Sequence, residues 1–176
     1  MKGYLDLPLT IVGQGKRNSK TRIRPSKIIV CSSPPSSESN LHYLVKGNGE
    51  IEIITDTHCI VEGISHFSLN EPIIEELNKA SIFVGIENEE DSIKEEQKAC
   101  FAKLLKWISS QMHIRLNPLW KLIPGELDEQ GITRINLIEF AKNTMPGVMG
   151  MKNIMAGRSD PPAEIWDYCK GVLEEV

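Results

Sequence analysis

Apolar and polar positions along this chain follow two rhythms, and the change from one to the other marks its elements. Ile28, Ile29, Val30 and Cys31 form an unbroken apolar run closed by Ser32-Ser33-Pro34-Pro35-Ser36-Ser37. Such a run predicts a buried strand ending in a loop, because proline donates no ladder hydrogen bond. Two β-prone runs, 41–45 and 50–54, flank Lys46-Gly47-Asn48-Gly49. Glycine and asparagine tolerate positive φ, so this pattern predicts a hairpin. Residues 71–79 read as a short helix with Pro72 in its first turn, and 81–86 as a second buried strand.

The strongest periodicity runs from residue 92 to 112. Phe101, Leu104, Leu105, Ile108 and Met112 recur at helical spacing on one face, with Lys98, Lys103 and Lys106 off it. Ser92 followed by Glu95 has the form of a capping box at the helix start. Beyond residue 112 the pattern is irregular as far as Pro124-Gly125. A second helix is predicted over 133–143, with Ile135, Ile138 and Ala141 on one face and Pro146-Gly147 as its stop. A last helix over about 162–174 would turn Ile165, Trp166, Cys169, Val172 and Leu173 inward. Strands interleaved with helices, plus one hairpin, predict an α/β fold with a central mixed β-sheet flanked by helices. The expected organisation is an N-terminal extension over 1–26 and one domain over 27–176, without internal repeats.

Composition narrows the function. A chain of 176 residues is long enough for one domain with a real core, and 40% hydrophobic and 25% charged residues are ordinary for a globular protein. A net charge of −4 argues against nucleic acid as a partner, since phosphate binding needs clustered cations. The local exception, Lys16-Arg17-Asn18-Ser19-Lys20-Thr21-Arg22-Ile23-Arg24, reads first as a solvated loop and second as an anion contact. No run reaches the roughly 20 apolar residues of a membrane span. The first residues lack the apolar core of a signal peptide, so synthesis in the cytoplasm without general secretion is expected. Cys31, Cys59, Cys100 and Cys169 are scattered, which predicts free thiols.

Several segments, taken in order, resemble the zinc N-acetylmuramoyl-L-alanine amidase and peptidoglycan-recognition protein superfamily. His42-Tyr43-Leu44-Val45-Lys46-Gly47-Asn48-Gly49-Glu50-Ile51 is similar to a hairpin H-F-L-I-x-x-D-G-E-I, and Glu62-Gly63-Ile64-Ser65 to the end of W-H-A-G-V-S. Val84-Gly85-Ile86-Glu87 resembles S-I-G-I-E, and Glu95-Glu96-Gln97-Lys98 resembles T-x-A-Q before the long helix. The stretch from Gly150-Met151-Lys152-Asn153-Ile154 to Gly157-Arg158-Ser159-Asp160-Pro161 is similar to G-H-x-D-I-x-P-G-R-K-x-D-P-G, and Trp166-Asp167 echoes the F-D-W after it. The resemblance covers roughly residues 27–112 and 147–174. Residues 113–147 have no counterpart and are read as an insertion, in which Trp120 is either core or a docking anchor.

The resemblance implies a zinc held by two imidazoles and one Asp or Cys, with a position left for water. It also implies a Glu after the third strand to move the proton, and a Lys or Tyr at the oxyanion. In this chain the first imidazole falls on Val30, or on Cys31 if the register slips by one, and the second falls on Met151. The His of W-H-A-G falls on Val61, and the signature Lys falls near Ser159. What remains is Glu87 as a vestigial catalytic candidate, Asp160 and Cys31 as metal-side candidates, and His42, Ser65 and Arg158 along the implied substrate groove. Each also has a plainer reading. His42 suits a satisfied strand histidine, Glu87 an acid in the run Glu87-Asn88-Glu89-Glu90-Asp91, and Asp160 a helix N-cap or a partner of Arg158.

The expectation is therefore a degenerate amidase-like domain, catalytically silent, that binds muropeptide or is a structural part of a phage or phage-like particle. Its partners would be peptidoglycan fragments or a larger protein assembly, and no cofactor is expected. The alternative is an active amidase cleaving the lactyl-L-Ala amide, with zinc in a rebuilt site of Cys31, His42 or His58, and Asp160.

Overall fold

The computed structural model describes residues 9–10, 24–33, 40–64, 71–88, 92–122, 125–127, 129, 133–142, 144–154 and 163–173. Among them a six-stranded mixed sheet is built from β1 (Leu9–Thr10), β2 (Lys27–Ser33), β3 (Tyr43–Val45), β4 (Ile51–Ile53), β5 (Ser81–Glu87) and β8 (Gly147–Gly150). The helices are α1 (Glu71–Ala80), α2 (Glu95–Met112), α3 (Leu119–Leu122), α4 (Leu137–Lys142) and α5 (Ala163–Tyr168). A separate hairpin pairs β6 (Gly125–Leu127) with β7 (Thr133–Ile135). The large sheet runs β1-β4-β3-β5-β2-β8, parallel throughout except for the antiparallel β3–β4 hairpin. The sheet thus takes its β1 strand from inside the segment expected as an N-terminal extension.

Strand alternation divides the core between the two faces. Ile28 and Val30 of β2 share one face with Ile82, Val84 and Ile86 of β5. Helix α2 lays Phe101, Leu104, Leu105 and Ile108 on that face, and Ile165 and Cys169 complete it. Ile29, Leu44, Phe83 and Met149 point the other way, where Leu77, Val61, Ile64, Leu119 and Phe140 cover them. Each such fully buried side chain contributes about 1.5–3 kcal/mol relative to exposure.

Four sequence expectations need correction. Helix α2 begins at Glu95 with Lys94 as its N-cap in extended conformation, and no side chain caps it. The Ser92–Glu95 capping box therefore does not form. Burial of Ile93 in the core sets how the chain enters the helix, which leaves Ser92 exposed outside it. Lys98 lies on the apolar face, three residues before Phe101. It is buried and reaches Glu95 at 2.8 Å, a long stem covering apolar surface with its charge led outward.

The third correction concerns residues 133–143, which form β7 and then the short α4. Asn136 divides them, because its Oδ1 accepts the N–H groups of Ile138 and Glu139 as a helix N-cap. Ile138 is consequently exposed while Phe140 is buried. The last helix is also shorter than expected, with α5 giving way to a 3₁₀ turn at Cys169–Gly171. Its inward residues are as expected: Ile165 and Cys169 are fully buried, and Trp166, Val172 and Leu173 pack against the core. Trp120 falls in α3, and its side chain lies outside the described residues.

Two core positions generate tests. A Cβ added at Gly63 would overlap Cδ1, Cε1 and Cγ of Phe83, so the segment before Ile64 can approach β5 only without a side chain there. Gly63→Ala should cost about 1–3 kcal/mol through overpacking, read as a lower urea midpoint at unchanged slope. Lys27 opens β2 with its side chain buried, its ammonium 5.2 Å from the Phe140 ring centroid and 3.4 Å from Ser26 Oγ. Burial pushes its pKa below the ordinary 10.5. The folded chain then holds fewer protons than the unfolded one between the lowered pKa and 10.5, so stability rises with pH across that window. Below the window the cost of burying the charge is fully present. Lys27→Met should be more stable than the parent near neutral pH, with the gap closing as pH approaches the upper limit. Urea midpoints measured from about pH 7 to about pH 10 check this, and a gap independent of pH would contradict it.

Candidate functional site

Strands β2, β5 and β8 run parallel, so their carboxyl ends meet at one edge of the sheet, where open α/β folds place ligands. The β2–β8 register pairs Ile29 with Met149 and Val30 with Gly150. The pairing ends there, and Met151 opens a 3₁₀ turn at Met151–Asn153 in contact with β2. Met151 is buried in the cluster containing Ile29 and Met149, and Cys31 packs on that same cluster. Val30 faces α2 on the opposite side. Of the two positions considered for the first imidazole, Cys31 is the one that shares a face with Met151.

Cys31 is half-buried, and its Sγ lies 3.8 Å from the carbonyl oxygen of Val84. Glu87 ends β5 at the same sheet edge, and strand alternation sets it on the face of Phe83. Its Oε2 accepts the Gly47 N–H of the hairpin turn at 2.7 Å. Nearby, Lys46 pairs with the buried carboxylate of Glu52 at 2.7 Å. Gln97, in the first turn of α2, is buried. Its Nε2 donates to the carbonyls of Glu87 at 2.6 Å and Val45 at 3.2 Å, tying the ends of two strands to the helix.

His42 is fully buried. Its Nδ1 accepts the Phe83 N–H at 3.0 Å, and its Nε2 lies 3.1 Å from the Cys59 carbonyl oxygen, to which it can only donate. Its ring also stacks on Phe83, with centroids 6.1 Å apart. Both nitrogens serve the fold, and the His42 ring lies in the core. His58 sits in an exposed turn, with its Nδ1 2.9 Å from Asp56 Oδ1. Ser65, Arg158, Ser159 and Asp160 lie outside the described residues.

Among the described residues, the positions implied for the imidazoles are a poor match to zinc. Val30 has no donor atom, the His42 nitrogens are engaged, and a thioether such as Met151 is a poor ligand for Zn(II). Among the described residues no group of three or more His, Cys, Asp or Glu side chains could hold a metal ion. Nor is any helix among them long and apolar enough to cross a membrane.

No family model and no curated protein matches the sequence. The fold does have solved counterparts. The N-acetylmuramoyl-L-alanine amidase LysC from Clostridium intestinale URNW is similar at a TM-score of 0.50 and 11% identity, over 89% of this chain and 95% of that one. The endolysin amidase LysCS from the same organism is similar at a TM-score of 0.49 and 12% identity, over 89% and 93%. At 11% identity the likeness to LysC is one of fold, an α/β sheet flanked by helices as the sequence predicted. The second match adds nothing to it.

Sequence reading missed the part played by Gln97, although it sits in the segment resembling T-x-A-Q. A glutamine in the first turn of an amphipathic helix looks solvated, and only tertiary placement shows its amide between two strand ends. Gln97→Ala should cost about 1–3 kcal/mol, because two strand-end carbonyls lose their donor. Gln97→Glu should cost at least as much at neutral pH, since a carboxylate cannot donate. Urea denaturation of both variants checks the pair.

Proposed function

We propose that this chain is a degenerate N-acetylmuramoyl-L-alanine amidase-like domain, catalytically silent, that has kept its strand-end groove as a muropeptide-binding site. One observation carries the reading. At the carboxyl ends of β2 and β8, where the resemblance calls for two zinc-binding imidazoles, the chain sets Cys31 and Met151, while His42 is bonded at both nitrogens. The fold likeness to LysC supports an amidase-type scaffold. In this reading Glu87 is vestigial: its carboxylate holds the hairpin turn through Gly47 and has no metal-activated water to serve. Ser65, Arg158 and Asp160 are proposed to line the groove, with Asp160 acting as a helix N-cap or a partner of Arg158.

A second reading, a structural part of a phage or phage-like particle, is favoured by the surface of the inserted segment. Of the four exposed large apolar side chains among the described residues, Leu127, Ile138 and Met145 fall between residues 113 and 147. Exposed apolar groups gathered on one insertion suit contact with a larger assembly.

The protein purified without chelator should contain no stoichiometric zinc and should leave soluble muropeptides uncleaved. Those muropeptides should nonetheless raise its melting temperature once their concentration passes the dissociation constant. A flat melting response up to millimolar ligand would remove the binding reading and leave the structural one. About one tightly held zinc per chain, with hydrolysis lost in Cys31→Ser, would instead establish a working amidase with a rebuilt site.

A further inference from the structure

The β6–β7 hairpin borders a half-open cleft of about 580 Å³, lined by Gly125, Glu126, Arg134, Ile135 and Asn136. That volume lies in the range of small-molecule sites. The hairpin register accounts for the space: Gly125 stands opposite Ile135 and contributes no side chain, while Glu126 stands opposite Arg134. Ile135 is buried in the core and gives the cleft an apolar wall. Arg134 Nη1 donates to the Lys152 carbonyl oxygen, in the 3₁₀ turn after β8. A guanidinium carries five N–H donors, so that bond fixes its position without cancelling its charge. Asn136 Oδ1 accepts the N–H groups of Ile138 and Glu139, which holds the amide still and leaves Nδ2 as a donor. Glu126 is exposed and is in no ion pair among the described residues.

A cation, an anion and an amide donor around one small cleft call for a ligand with the reverse charges. A carboxylate suits Arg134 and Asn136, because the guanidinium fork matches its two oxygens. An ammonium suits Glu126. Directly opposed residues of a hairpin have Cβ atoms about 5 Å apart, so both charges must belong to one small molecule. We propose that this cleft binds a zwitterionic peptide of dipeptide size, with its amino and carboxyl ends both free. Such a ligand is a product of amide hydrolysis, in proteins or in cell-wall peptides. An intact muropeptide has its first amino group locked in the lactyl amide and cannot offer that ammonium. The cleft is therefore distinct from the muropeptide groove proposed above, and either site can fail without the other.

The test is calorimetric titration of the purified protein with L-Ala-L-Ala and with D-Ala-D-Ala, a wall-type dipeptide, beside the N-acetylated and C-amidated forms of each. Saturable binding of a free dipeptide is expected, and the tighter of the two identifies the source as protein or cell wall. Blocking either end should weaken binding about tenfold, through loss of one charge-assisted contact. Glu126→Gln should weaken the free dipeptide about tenfold and leave the N-acetylated form unchanged, since that form has no ammonium to lose. Arg134→Gln should likewise weaken the free dipeptide and spare the C-amidated form. Absence of saturable binding by both free dipeptides at millimolar concentration overturns the proposal. So does an affinity that neither N-acetylation nor Glu126→Gln changes. Should Arg134→Gln fold poorly for want of its bond to Lys152, the Glu126→Gln comparison decides the matter alone, because Glu126 is exposed.

Discussion

Strand β2 is hydrogen-bonded along both edges and buried on both faces, and the other elements take their places from that constraint. Its alternating side chains feed two separate cores, one under α2 and α5 and the other under α1, α3 and α4. A slip of one residue in its pairing would exchange the two sets and bury the wrong groups on each side. The same constraint reaches the sheet edge. Cys31 packs on the cluster that holds Met151 because Val30, one residue earlier, is held against α2.

Elements whose signals are local were legible in the sequence. The Gly-Asn-Gly turn implied the β3–β4 hairpin, the apolar runs implied β2 and β5, and the stripe from Phe101 to Ile108 implied the buried face of α2. Where a tertiary contact decided the outcome, the sequence misled. Ser92 and Glu95 have the spacing of a capping box, yet Ile93 is buried in the core and Lys94 takes the cap position. Over residues 133–143 the periodicity suggested one helix, although Asn136 followed by Glu139 marks a start inside it. Strand β8 was missed altogether, because four residues flanked by glycines carry too little pattern to stand out.

The candidate site was legible to a similar degree. Resemblance brought Cys31, Glu87 and Met151 into view, and the parallel register then chose Cys31 over Val30. No sequence signal distinguishes a histidine that binds a ligand from one whose ring nitrogens join two backbone segments. His42 belongs to the second kind, since Phe83 and Cys59 lie 41 and 17 residues away from it in the chain and meet it only in the fold. The Lys46–Glu52 pair is similar: two charges on the hairpin look solvated in sequence, while Glu52 is buried in fact.

The two-residue strand β1 pairs Leu9 with Ile51 and Thr10 with Glu52, along the side of β4 that faces away from β3. An uncovered strand offers a row of unsatisfied N–H and C=O groups to any extended chain that meets it, and sheets left open in this way associate edge to edge. Leu9 and Thr10 therefore act as a cover as much as a strand. A protein trimmed to start at Lys27 would present that side of β4 bare. Its expected failure is self-association through the sheet edge, seen as growing particle size in solution.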